Sequence, residues 1–129
     1  LGRGVPSHAT ALGKVLLAGL NPEDLDRWLR AYRLTRLTRN TLTDREALRE
    51  ALRQVADLGY AYDNEECSLG LRCVAAPVRD RRGAVVAAVS ISGPTQRLSV
   101  DKLRRMAAAV KAAGLEISRV LGYAGPSGA

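Results

Sequence analysis

The chain has 129 residues, 47% hydrophobic and 26% charged, which suits one folded core rather than a disordered segment. Its 20 Lys and Arg against 13 Asp and Glu give a net charge of +7, mostly from arginine. No apolar run approaches the roughly 20 residues of a membrane span, and no signal-peptide pattern opens the chain.

A basic balance admits nucleic acid as a partner, but it fits a soluble Arg-rich surface as well, and the latter reading is preferred. Cys67, Cys73 and His8 are too few for the about four ligands of a zinc site, so no metal or other cofactor is expected. One possible cysteine pair is no disulfide framework. A cytoplasmic protein is expected. Leu1 opens the chain without an initiator Met, as in a fragment, a processed product or an excised domain.

In chain order, residues 1–6 are Gly-rich and read as an extended lead-in. Gly2-Arg3-Gly4 lacks the preceding strand and third glycine of a nucleotide loop. Ser7 is expected to cap a helix running to about Leu20, with Ala9, Leu12, Leu16 and Leu20 on its apolar face. A second helix is marked by Asn21 as cap, Pro22 at its first position and Glu23 and Asp24 in its first turn. Leu25, Trp28, Leu29 and Tyr32 form its buried stripe, with Trp28 a core anchor.

Residues 33–42 place Arg33, Arg36 and Arg39 at every third position among threonines. A phosphate-binding strip is one reading, and a solvated connector without stacking aromatics is the preferred one. Thr43 and Glu46 form a capping box for a third helix, whose stripe is Ala47, Leu48, Ala51, Leu52, Val55 and Leu58 and whose stop is Gly59.

A strand is expected over Tyr60–Asp63, then a polar loop over 64–70. Leu71–Val78 and Ala84–Ser92 form a β-hairpin around residues 80–83, and Gly93-Pro94 stops it. A last helix runs from about Ser99 to Leu121, with Leu103, Met106, Val110, Ile117 and Val120 inward, before a frayed tail. The order α-α-α-β-β-β-α is α+β with an antiparallel sheet.

A tight loop over 80–83 places Cys73 opposite Ser90, Ala75 opposite Ala88, Val74 opposite Val89 and Val78 opposite Val85. Alternation then sorts the hairpin into two faces. Val74, Val78, Val85, Val89 and Ile91 belong against core helices. Cys73, Ala75, Ala88, Ser90 and Ser92 form a floor of small side chains, fit either for a small polar ligand or for a closely packed helix. Arg72 falls on the valine face and is expected to reach out to solvent.

Catalytic chemistry is hard to assemble. His8, at a helix start, reads as structural or capping rather than as a base. Asp63, Glu65 and Glu66 form an acidic loop that is either a solvated turn, acid-base or metal machinery, or, through Asp63, a ligand contact. No paired motif points to an enzyme.

Three blocks carry a family resemblance. Pro6-Ser7-His8-Ala9-Thr10-Ala11-Leu12-Gly13-Lys14-Val15-Leu16-Leu17-Ala18 resembles the P-x-H-A-(T/S)-(A/G)-x-G-K-x-x-L-A segment of the IclR transcription regulators. Gly59 to Asp63, then Glu66, Gly70, Cys73, Ala75 and Ala76, is similar to their G-Y-x-x-D…E…G…C-x-A-A segment. Ala87 to Pro94, followed by Arg97-Leu98, resembles their A-A-(I/L)-S-(I/V)-S-G-P…R segment.

The resemblance implies a GAF-like, partial effector-binding domain over 1–129, with no DNA-binding domain in this chain and the N-terminal part of the ligand domain outside it. It also implies a small-molecule effector, a carboxylic acid or aromatic compound, bound by Ala11, Leu12, Asp63, Cys73, Ser90 and Ser92. A homo-oligomer, dimer or tetramer, follows from it too, with DNA contacted only through a winged helix-turn-helix outside the chain and no membrane partner. In that fold, strands preceding the chain cover the free side of the second hairpin strand. The alternatives are a GAF-like interaction module whose own side chains fill the cavity, and a nucleic-acid binder using the arginines.

Overall fold

The computed structural model describes residues 6–125. The Gly2-Arg3-Gly4 reading and most of the expected frayed tail lie outside them. Helices α1 (Ala11–Ala18), α2 (Pro22–Ala31) and α3 (Arg45–Leu58) precede strands β1 (Ala61–Asn64), β2 (Leu71–Arg79) and β3 (Val85–Pro94), and α4 (Val100–Val120) ends the order. The expected α-α-α-β-β-β-α is therefore the observed order. The sheet is antiparallel, β1-β2-β3, with α1 on one face and α4 on the other.

Local chemistry sets the ends of the helices. Asn21 caps α2, its side chain accepting the Asp24 N–H at 2.8 Å, and Ser99 caps α4 by accepting from Lys102. Gly59 ends α3 in the left-handed region at φ 82°, where a side chain would be strained. Two caps differ from expectation. Thr10, not Ser7, caps α1 by accepting the Gly13 N–H at 3.0 Å, because residues 7–9 form a turn of their own with Ala9 N–H on the Pro6 carbonyl. Asp44, one residue after Thr43, caps α3 by accepting from Ala47. A carboxylate accepts an amide proton more strongly than a hydroxyl does.

The register of the hairpin is shifted by two from a tight-loop pairing. Cys73 faces Ser92, Ala75 faces Ser90, Val78 faces Ala87 and Arg79 faces Val85. One residue is added in the loop, closed by Asp80 N–H on the Ala84 carbonyl, and one in a bulge between Val78 and Arg79. A shift of two keeps side-chain parity, so Cys73 and Ser90 stay on one face as diagonal neighbours. Val85, beyond the bulge, changes face and packs with Ala88 against the α1 cluster instead of joining Val74.

Three apolar clusters hold the chain together. Leu17, Leu29, Leu48 and Leu52 join α1, α2 and α3, with Trp28 at their margin, stacked on Tyr32. Val74 and Ala76 meet Leu98, Leu103, Ala107 and Val110 on the α4 side. Ala11, Val15, Val55, Ala61 and Ala75 fill the α1 side, so α1 buries Ala11 and Val15 while Leu20 is exposed.

Helix α4 turns a smaller face inward than bulk alone predicts: Leu103, Ala107, Val110, Gly114 and Ser118 are buried, while Ile117 and Val120 are exposed. The reason is close approach. A Cβ on Gly114 would lie 2.7 Å from the Pro77 carbonyl oxygen. Ser118 Oγ accepts the Arg79 N–H at 2.8 Å, next to the bulge, and donates to Gly114 O at 2.7 Å. α4 covers the outer strand only in part: Val89 of β3 packs against its cluster, while Val86 and Ile91 are exposed. No helix among the described residues is long and apolar enough to cross a membrane.

Candidate functional site

Parity and the sheet register bring most of the expected site residues to the α1 side. Asp63 of β1 pairs with Cys73 of β2, and Cys73 pairs with Ser92 of β3. The Cys73 thiol donates to the Val74 carbonyl at 3.9 Å, and Asp63 lies close enough for its charge to act on it. Ala11, in the first turn of α1, packs against the cluster that holds Ala75 and Cys73. Ala11, Asp63, Cys73, Ser90 and Ser92 thus share one side of the sheet. Leu12 is half-buried and turned by about 100° from Ala11 around the helix, so its side chain points away from its neighbour's direction.

Helix α1 presents its start to this floor. The opening amides of a helix have no acceptor within it. Thr10 Oγ1 takes the Gly13 N–H and the Thr10 carbonyl takes the Lys14 N–H. The N–H groups of Ala11 and Leu12 remain at the positive end of the helix dipole. Gly13 is required here, since a Cβ on it would meet the Ser7 backbone at 2.4 Å. His8 is a structural member of the same turn: it is buried, and its Nε2–H donates to the Thr35 carbonyl at 2.8 Å.

The acidic loop is not a solvated turn. Asp63 is 2% exposed and Glu66 8%. Asp63 accepts the Glu66 N–H at 2.8 Å, yet burial pushes its carboxyl above the ordinary value, and the Glu66 charge adds to this while Lys14 opposes it. Glu66 Oε1 accepts from Lys14 Nζ at 2.8 Å and Oε2 from the Asn64 N–H at 2.9 Å. Burial also raises the Cys67 and Cys73 thiols above their usual value, which keeps both protonated and poorly nucleophilic near pH 7.

Two contributors escaped sequence reasoning. Lys14 reaches across from α1 to Glu66. The connector before α3, expected to be solvated, instead clamps the acidic loop: Thr38 Oγ1 donates to Glu65 O and Thr41 Oγ1 to Glu66 O, each at 2.6 Å. Threonine recurs at 35, 38 and 41 with the same three-residue step as the arginines, and that was the available signal. Arg72 is likewise held rather than solvated, donating to Asn64 Oδ1 at 2.8 Å and Leu98 O at 3.0 Å.

Hydroxyls, a thiol, helix amides and a desolvated carboxyl lie on this one side of the sheet, groups of the kind that hydrogen-bond small polar molecules. It contains no activated nucleophile with a base beside it. Among the described residues no group of His, Cys, Asp and Glu could hold a metal ion.

The family described as bacterial transcriptional regulator IclR C-terminal matches residues 1–119. The HTH-type transcriptional regulator XynR of Escherichia coli is 46% identical over 123 residues, covering 95% of this chain and 49% of the relative. The chain thus spans about half the length of the curated relatives it matches. The C-terminal domain of the E. coli regulator KdgR superposes with a TM-score of 0.85 at 44% identity, covering 95% of this chain and 75% of that one. The inducer-binding domain of PobR from Acinetobacter, a double mutant in complex with 3-hydroxybenzoic acid, gives 0.85 at 33% identity, covering 93% of this chain and 69% of that one. These relatives are transcriptional regulators, not enzymes.

Proposed function

Because the chain belongs to the IclR family of bacterial transcriptional regulators, as their C-terminal domain, we propose that it senses a small carboxylic acid on the α1 side of its sheet. The observation that carries this reading is the convergence of the α1 amides, Asp63, Cys73, Ser90 and Ser92 on one side. Helix amides favour the carboxylate. Ser90 and Ser92 donate to it, and Asp63 fixes a hydroxyl or a water. The 3-hydroxybenzoic acid in the PobR complex has both groups, a carboxylate and a hydroxyl.

The effector alters DNA binding by a winged helix-turn-helix outside this chain, only as far as it binds one arrangement of subunits better than another. Subunits associate as a homo-oligomer, and the exposed apolar residues of β3, Val86 and Ile91, supply an edge for pairing in the isolated chain.

A second reading, an interaction module without a ligand, is supported by the close packing of Ala11 and Val15 against Ala75 and Ala88. Calorimetry with a panel of aliphatic and aromatic carboxylates, 3-hydroxybenzoate included, separates the two. Effector sensing predicts saturable binding that weakens in Ser90→Ala/Ser92→Ala, each lost bond to a charged group contributing about 1.5–3 kcal/mol. Unchanged affinity in the double variant rejects this site, and no binding by any carboxylate favours the interaction module.

A further inference from the structure

The junction of α2 and α3 holds a group of cations that the α1-side floor does not use. Arg30 sits in the last turn of α2, Arg33 follows it and Arg45 opens α3. With Tyr32 and Thr43 they line a hollow of about 320 Å³. Among the described residues none of the three forms an ion pair, whereas Arg27, Arg49, Arg53 and Arg72 each do. The nearby Asp44 carboxylate is engaged with the Ala47 N–H at the start of α3.

Arg45 is fixed in place. Its Nε–H donates at 2.6 Å to the Leu29 carbonyl, near the C-terminal end of α2, and its remaining donors are left for another acceptor. Three like charges around one hollow repel one another, and an anion between them reverses the sign of that interaction. Guanidinium forks fit phosphate and carboxylate oxygens in pairs.

The arginines converge rather than line up. Arg36, which would continue a strip along residues 33–39, is turned back onto its own loop: it donates to the carbonyls of Thr38 and Arg39 at 3.2 Å and to Thr43 Oγ1 at 3.1 Å. A broken strip does not track a nucleic-acid backbone. The hollow falls at the small end of ligand-sized sites, about 300–1,000 Å³.

We propose that Arg30, Arg33 and Arg45 form a second site, separate from the α1-side floor, for a small multiply charged oxyanion, either an organic phosphate or a polycarboxylate. Tyr32 connects it to the rest of the domain. Its ring stacks on Trp28 at 4.3 Å and lies 5.7 Å from the His8 ring, in the turn that precedes the Thr10 cap. An occupant therefore bears on the same turn that presents the start of α1.

The test titrates the chain with pyrophosphate and with citrate at physiological ionic strength. Saturable one-site binding of either supports the site, and the preferred probe tells phosphoryl from carboxylate chemistry. Arg30→Gln/Arg33→Gln keeps the Arg45–Leu29 bond and should weaken binding about ten-fold or more. Arg81→Gln/Arg82→Gln removes the same charge at the hairpin turn and should leave it unchanged. Equal loss in both arginine variants reduces the effect to net charge and overturns the proposal. So does the absence of saturable binding, or duplex DNA that binds without competition from either probe.

Discussion

On the α4 side of the sheet, Val74, Ala76 and Val89 meet Leu103, Ala107 and Val110 in an apolar cluster. On the α1 side lie all three buried charged residues among those described, Lys14, Asp63 and Glu66, beside alanines and a cysteine. Both faces belong to the same strands. The apolar face gains stability from area removed from water. The other carries desolvated charge, which adds little net stability even when paired. Burial raises the Tyr62 hydroxyl on the α4 side as well, but the buried carboxylates lie on the α1 side, which supports the sensing site proposed there.

The sharpest way to break this contrast is to unpair the charge. Lys14→Met leaves Glu66 buried with only the Asn64 amide, and the chain should lose about 3–5 kcal/mol in denaturant unfolding. Replacing both partners by apolar residues should restore much of it. A double variant as unstable as the single one would show that the pair itself, not the stranded charge, sets the stability.

On the apolar face the expected losses are smaller. Gly114→Ala forces α4 away from the Pro77 carbonyl and should cost about 1–3 kcal/mol. A loss much below that range, measured the same way, would mean that α4 shifts freely on the sheet.

Asp63→Asn should act in the opposite direction. The folded chain holds the Asp63 proton more tightly than the unfolded one. At pH values below the ordinary carboxylate range both states are protonated, and the variant should match the parent. As pH rises through that range, ionised Asp63 becomes a burden on the fold, so the variant's advantage should grow, then level off above the raised folded value. Asn retains an acceptor for the Glu66 N–H. A variant no more stable at pH 7 than at pH 3, relative to the parent, would contradict the burial argument. Ser90→Ala/Ser92→Ala should change stability least, within about 0.5 kcal/mol, because both residues are exposed.

Patterning predicts the order of elements, the antiparallel sheet and, Val85 apart, the two faces of the hairpin, because each depends on local periodicity and parity. The pairing of Cys73 with Ser92 was not legible, since it depends on an extra loop residue and a bulge that alternation does not encode. Size alone places Ile117 and Val120 inward, whereas Gly114 and Ser118 let α4 approach the sheet more closely than large side chains would allow. The floor residues Asp63, Cys73, Ser90 and Ser92 could be read from strand parity and the acidic loop. The Lys14–Glu66 pair and the Thr38–Thr41 clamp join residues at least 25 positions apart in sequence and required the fold.

Chemical-shift mapping of the chain with a bound carboxylate reads the position of the sensing site. The largest changes should fall on the Ala11 and Leu12 amides and on Asp63, Cys73, Ser90 and Ser92, with smaller ones along α4. Changes centred on the α4 face, or confined to the Arg30–Arg45 hollow, would contradict the assignment of the α1 side as the sensing site.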